Sequence, residues 1–226
     1  MGKKKLIRFE QNKKFACLCE LDAKQLIDAP HVFRGKWSPE FFGNDHELVL
    51  ELGCGRGEYT LGLARLEPEK NFIGVDIKGS RLFFGAREVH ETRLANAGFI
   101  RSKIDFIDRI FGREVTEIWI TFPDPFSEKP NRRLTSPVFL NKYHEILKPH
   151  GVVTLKTDDS ELYEFTLWIA RKNGLKILKK TTDLYGQAVA NTKEAIKTTY
   201  ERKFLDQNKK ICLLSFILDR KVEPLK

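Results

Sequence analysis

The chain has 226 residues, 41% of them apolar, enough to bury one substantial core, so one domain with short appendages is expected. Its formal net charge of +9 favours an anionic partner, nucleic acid first among them, although where the charge lies matters more than its sum. The start, MGKKKLIRFEQNKK, lacks the apolar stretch of a secretion signal and no apolar run is long enough to cross a bilayer, so a soluble, cytoplasmic protein with no membrane contact is expected.

Residues 1–44 have weak periodicity, mixed charge and scattered aromatics (Phe15, Phe33, Trp37, Phe41, Phe42). They predict an N-terminal arm packed on a main domain over 45–226. From Glu47 a regular alternation begins. Leu48–Leu52 is an apolar strand ending at Gly53, Tyr59–Leu66 a helix, Phe72–Val75 a second buried strand and Ser80–Asn96 a longer helix. Phe99–Arg101 and Thr116–Phe122 read as the third and fourth strands. Pro137–Leu147 is a helix with Ser136 as its N-cap and proline at its first position. Val152–Lys156 gives a fifth strand and Glu161–Lys172 another helix before Gly174. Strands alternating with helices imply right-handed crossovers and a mostly parallel sheet with helices on both faces. The last third breaks the rhythm, and Leu175–Leu178 with Ile211–Leu218 predicts a closing antiparallel hairpin, making seven strands. The tryptophans, Trp37, Trp119 and Trp168, are assigned to the core.

Gly53, Gly55 and Gly57 follow the first strand directly and precede a helix, where glycines let the backbone turn tightly and approach a ligand. Asp76 closes the next strand, where a carboxylate accepts hydrogen bonds from a ribose. Glu51 argues against a dinucleotide, because a carboxylate beside a pyrophosphate repels it. It suits a ligand with a positive end, such as the ammonium or sulfonium of S-adenosyl-L-methionine, or else partners the first turn of the helix. Further on, ITFPDPFSEKPNRRL holds Asp124 between two prolines, each of which fixes its own φ and removes a backbone donor. Lys129, Arg132 and Arg133 follow at once, and the group suggests chemistry on a polyanion, with a solvated basic face as the plainer alternative. Asp158, ending the fifth strand, either meets the substrate or caps the next helix. Cys17, Cys19, Cys54 and Cys212, with five scattered histidines, show no metal-ligand spacing, so free thiols and no metal are expected.

The E-L-G-C-G-R-G and G-V-D segments resemble the pattern of class I S-adenosylmethionine-dependent methyltransferases, which have a Rossmann-like fold. I-T-F-P-D-P, R-R-L-T, L-K-T-D and T-T-Y-E, in that order, resemble one family among them, the tRNA (guanine-N7-)-methyltransferases. The resemblance covers roughly residues 48–204. It implies methyl transfer from S-adenosyl-L-methionine to guanine N7 in tRNA, a variable-loop guanine as target, and S-adenosyl-L-homocysteine as the second product. It further implies Glu51, Gly53, Gly55, Gly57, Asp76 and Asp124 around the cofactor, with Asp124 catalytic. Lys129, Arg132, Arg133, Asp158, Thr198, Thr199, Tyr200 and Glu201 fall to the tRNA; without the resemblance, Tyr200 and Glu201 read as part of a surface helix.

Two departures stand out. The aspartate that the family places after the third strand falls here on Lys103 or Ile104, so backbone around Ile104 is expected at the adenine. The stretch between Pro-Asp-Pro and Arg-Arg is short, and Phe126 stands where the family has Trp. The rival activities are an exocyclic-amine methyltransferase, a tRNA-binding module without activity and a small-molecule methyltransferase. The chain is expected to act as a monomer or homodimer.

Overall fold

The computed structural model describes residues 3–186 and 192–225, with side chains from residue 6 onward. The N-terminal arm is more ordered in pattern than its sequence suggests. It forms helix α1 (Lys3–Asn12), strand β1 (Leu18–Glu20), helix α2 (Ala23–Asp28) and one π-helical turn at Ser38–Phe42. The alternating region gives β2 (Glu47–Leu52), α3 (Glu58–Leu66), β3 (Lys70–Asp76), α4 (Gly79–Thr92) and β4 (Ala97–Arg101). It continues with α5 (Ile107–Ile110), β5 (Val115–Thr121), α6 (Pro137–Ile146), β6 (Leu147–Thr157) and α7 (Ser160–Lys172). The chain closes with β7 (Ile177–Thr181), α8 (Thr199–Asp206) and β8 (Cys212–Ile217).

The eight strands among the described residues form one sheet in the order β1-β4-β3-β2-β5-β6-β8-β7, one strand more than expected. The extra strand is β1, which pairs parallel with β4 (Leu18 opposite Phe99). Three residues are too few to show periodicity, so only the pairing defines it. β8 runs antiparallel to both β6 and β7, and the two closing strands are joined through α8 rather than by a tight turn. The chain winds outward from β2 to β3 and β4, then crosses to β5 and β6 on the other side. The reversal lies between β2 and β5, where the carboxyl ends of parallel strands open a crevice.

Alternation along the strands fills two cores. Leu48, Leu50 and Leu52 join Ile118, Ile120 and helices α5, α6 and α7 on one face. Val49 and Trp119 join Tyr59, Leu63, Leu82 and Val89 from α3 and α4 on the other. Trp37 of the arm is fully buried and donates its indole N–H to Ile110 O at 2.9 Å. Trp168 departs from its core assignment: it lies on the outer face of α7 at 48% exposure, with the Lys172 ammonium 5.3 Å from its ring. Ser136 does occupy the N-cap of α6, but its hydroxyl donates to Asn131 O at 3.0 Å and leaves the helix amides alone.

Gly57 starts α3 at φ +78, and a Cβ there would lie 2.4 Å from Cε1 of the buried Phe99 ring. Gly55, at φ +57, has open space where its Cβ would go. Gly55→Ala should therefore cost about 1 kcal/mol of left-handed strain, and Gly57→Ala a further ~1–3 kcal/mol of overpacking. Urea unfolding of both variants checks this; equal losses would mean that Phe99 yields freely.

Candidate active site at the carboxyl edge of the sheet

Glu51, near the end of β2, is 2% exposed. It accepts hydrogen bonds from Thr60 N at 2.8 Å, from the Thr60 hydroxyl and, across the β2–β5 reversal, from the Thr121 hydroxyl at 2.6 Å. Burial raises its carboxyl to about 7; the three donors pull the other way and the Asp76 charge adds to the rise. Its two oxygens are thus occupied by the first turn of α3 and by β5, and it meets the crevice as a buried acid rather than as an open acceptor. Asp76, at the end of β3, accepts from Gly55 N at 2.9 Å and Lys78 N at 2.7 Å, which draws the glycine turn over the strand end. Beyond β4, Ile104 is half-buried between exposed Lys103 and Asp105.

β5 ends in a contorted turn. Phe122 and Phe126, on either side of Pro123-Asp124-Pro125, both have positive φ (49 and 42), a region that bulky side chains avoid. Asp124 is exposed at its tip. Phe122 is tied down by its N–H to Lys156 O at 2.8 Å and by the Phe204 ring at 5.8 Å.

The basic segment that follows divides. Lys129 and Arg132 are exposed, with the Arg132 guanidinium 5.0 Å from the Phe126 ring. Arg133, expected on the same rim, is 4% exposed and faces inward. Its Nε donates to Pro125 O at 2.8 Å, an Nη donates to Glu161, and the guanidinium lies 4.5 Å from the Phe165 ring. Arg132 ends the 3₁₀ turn Pro130–Arg132, whereas Arg133 leaves it in extended backbone and so takes a different direction. Asp158 is paired with Lys209 at 2.8 Å, and the neighbouring Asp159, not Asp158, caps α7 through Leu162 N.

The Thr198–Glu201 segment forms the start of α8, and its members have separate fates. Thr198 is the N-cap, accepting from Glu201 N at 3.2 Å. Thr199 donates its N–H to Glu58 at 2.7 Å and its hydroxyl to the same carboxylate, leaning α8 on the first turn of α3. Tyr200 is exposed. Glu201, read as a substrate contact, is fully buried against the fully buried Lys156 at 2.7 Å and accepts from Tyr185 Oη at 2.6 Å. Burial holds the Lys156 ammonium below its ordinary value, while the Glu201 charge opposes the shift. Lys156 Nζ also donates to Glu194 O and Ile196 O, at 2.7 and 2.9 Å. Sequence reading missed this pair. Its one signal is a lysine inside the apolar run VVTLK, which demands a buried acid somewhere else in the chain. Among the described residues no cluster of His, Cys, Asp or Glu could hold a metal ion, and no helix is long and apolar enough to cross a membrane.

Similar folds occur in a solved 16S rRNA methyltransferase, KamB (TM-score 0.63, 14% identity, 83% of this chain and 95% of that one), and in a 30S ribosomal A1408 methyltransferase from an uncultured bacterium (TM-score 0.59, 17% identity, 87% and 94%). A family model described as putative methyltransferase matches residues 45–214. Fold and family model together define a class I methyltransferase. The tRNA (guanine-N(7)-)-methyltransferase of Bacteroides thetaiotaomicron is 44% identical over 219 residues, 96% of this chain and 87% of that protein. The enzymes of that name from Porphyromonas gingivalis (48% over 185 residues, 81% and 76%) and Christiangramia forsetii (43% over 219 residues, 95% and 98%) are similar too. The chain belongs to the tRNA (guanine-N7-)-methyltransferase family.

The raised Glu51 carboxyl fixes a sign for the pH dependence of stability. Folded Glu51 keeps its proton up to about 7, against 4.5 for the ordinary group. Its contribution to stability is therefore complete below pH 4.5 and lost as pH rises through 7. Relative to Glu51→Gln, the native protein should lose about 3 kcal/mol between those limits. Urea titrations of both proteins at pH 5 and pH 8 test this, and a constant difference would mean that the three donors outweigh burial.

Proposed function

We infer that this chain transfers the methyl group of S-adenosyl-L-methionine to N7 of a guanine in tRNA, in the variable loop, yielding N7-methylguanosine and S-adenosyl-L-homocysteine. One observation carries the assignment of the catalytic group: Asp124 is exposed on a strained turn at the same sheet edge as the glycine loop. The cofactor's fit rests on the open space above Gly53 and Gly55, where an added Cβ would find at most one atom within 4 Å, and on the acids below. Asp76 retains lone pairs for ribose hydroxyls beyond its two amide bonds. Glu51 supplies negative charge beneath a cationic ligand, and the half-buried Ile104 segment borders the adenine side. When bound, the cofactor supplies an electrophilic methyl on a cationic sulfur.

Guanine N7 carries a lone pair and no hydrogen. Its lone pair forms the new N–C bond, the C–S electrons stay on sulfur, and the ring gains positive charge without losing a proton. No general base is needed, so the chain contributes alignment and compensating charge. Asp124 accepts from guanine N1–H and N2–H2, which fixes the base and offsets the charge on the ring. Lys129 and Arg132 meet phosphates beside it, and exposed Tyr200 flanks the base. One copy of the chain supplies all these groups, whether it works as a monomer or a homodimer.

Bulk tRNA incubated with the protein and methyl-labelled cofactor should yield N7-methylguanosine on nucleoside mass spectrometry, with chain cleavage in the variable loop after borohydride and aniline. N6-methyladenosine or unlabelled tRNA would overturn the reading. Asp124→Asn should lower kcat by roughly 100-fold with cofactor affinity nearly unchanged, and an unchanged kcat removes Asp124 from its role.

Arg132 and Arg133 should also separate. Lys129→Gln with Arg132→Gln should weaken tRNA binding and flatten its dependence on salt by about one unit of slope per contact. Arg133→Gln should leave that slope alone and lower kcat, because Arg133 holds Pro125 and not phosphate. A shallower slope for Arg133→Gln would return it to the phosphate rim.

A further inference from the structure

Some cations on this surface have acidic partners, as Arg65 has Glu88 at 2.6 Å, Lys142 has Asp108 at 2.8 Å and Lys221 has Glu145 at 2.8 Å. A strip that runs from α1 and the glycine loop over α4 to α8 gathers cations without such partners around two aromatic rings. Arg8 of α1 and Arg56 of the glycine loop both stack on Phe84 of α4, their guanidinium carbons 4.5 and 4.0 Å from the ring centre. One helical turn back, Arg81 lies 5.7 Å from the ring of Tyr200, and Lys203 reaches the same ring at 5.9 Å. Arg81 and Phe84 are three residues apart on one helix and so share a face. None of Arg8, Arg56, Arg81 and Lys203 has an ion-pair partner among the described residues.

The strip is continuous with the site. Phe204 of α8 packs on Phe122 beside the Pro-Asp-Pro turn, and Thr199 is bonded to Glu58, the residue after the glycine loop. The run of Lys203, Tyr200, Arg81, Phe84, Arg56 and Arg8 therefore starts beside Phe204, which meets the Pro-Asp-Pro turn at Phe122, and ends on the N-terminal arm. A guanidinium stacked on an aromatic ring is held in orientation while its in-plane N–H donors stay free, the geometry that suits a phosphate oxygen. Gathering unpaired like charges costs energy in the free protein, and a polyanion laid across them recovers it.

We propose that this strip, from Lys203 to Arg8, is a second phosphate-binding track, so that tRNA straddles the crevice with backbone along the track as well as on Lys129 and Arg132. The inference rests on tRNA being the substrate. It gives α1 a role in substrate capture, and it takes Arg56 out of the cofactor's contacts although Arg56 lies between two loop glycines.

The test uses the full chain with Arg8→Gln, Arg56→Gln and Arg81→Gln, singly and combined, and Lys221→Gln as a control for charge removed elsewhere. tRNA affinity is measured over a salt series, S-adenosyl-L-homocysteine affinity by calorimetry, and methylation alongside. The triple variant should bind tRNA at least ~10-fold more weakly, with its log–log salt slope reduced by roughly two to three. Cofactor affinity and the Lys221→Gln slope should match the unsubstituted chain. A triple variant with unchanged tRNA affinity and slope overturns the track, as does loss of cofactor affinity at unchanged slope, which assigns Arg56 to the cofactor. If the unsubstituted chain neither binds nor methylates tRNA, the function itself fails, and that result is separate from failure of the track.

Discussion

The Glu51 carboxylate is the constraint on which the rest of the site is built. It lies where the winding of the sheet reverses, and parallel strands that part there leave backbone and side-chain donors facing a gap. Glu51 closes that gap from within, taking Thr121 from one side and the first turn of α3 from the other. The glycine loop then has a fixed origin, and Asp76 bends it by accepting from Gly55. A buried acid poised to about 7 also responds to what arrives above it. Any cation placed over the loop favours its ionised form, and by linkage the ionised form favours the cation.

A second rule governs the charges of the C-terminal half. Side chains that look alike in sequence divide between those that build the site and those that face its mouth. Arg133 turns inward to a backbone carbonyl of the Pro-Asp-Pro turn, and Lys156 joins Glu201 beneath α8. Buried charges of this kind add little net stability when paired, but loss of one partner strands the other at a cost on the order of 3–5 kcal/mol. Their value is geometric: the carbonyls of Glu194 and Ile196 and the α8 carboxylate all converge on one ammonium. That fixes the lip carrying Tyr200 relative to β6. The cations left outside carry no such duty and remain free for an anion.

The sequence made legible what local patterning determines. Runs of four to seven residues gave β2, β3 and β5 to within a few positions, and the glycines after one strand with Asp76 at the end of the next pointed to one edge of the sheet, where Gly55 N–H meets Asp76. Several features could not be read. β1 exists only because β4 has an open edge to pair with. Arg132 and Arg133 are neighbours in one basic run, and only the 3₁₀ turn and the presence of Glu161 and Phe165 separate them. Glu201 finds Lys156 across 45 positions of chain, so nothing near either residue announces the pair. Trp168 failed for the opposite reason: its size argued for burial, but its position on α7 faces away from the sheet.

The turn that carries Asp124 shows why such contacts are retained. Two phenylalanines in left-handed backbone cost on the order of 1–2 kcal/mol each, and relaxing them would swing the carboxylate away. The turn is held against that relaxation at several points. Phe122 is pinned to β6 and to Phe204, Pro125 to Arg133, and the Phe126 ring lies under Arg132. Each proline removes a donor that a relaxed turn would use, so the strained form has fewer competitors. In methyl transfer to a nitrogen that loses no proton, rate depends on how well the acceptor is aligned and its new charge met. In the reaction proposed above, a carboxylate held in place by strain and by the buried Arg133 guanidinium suits that demand.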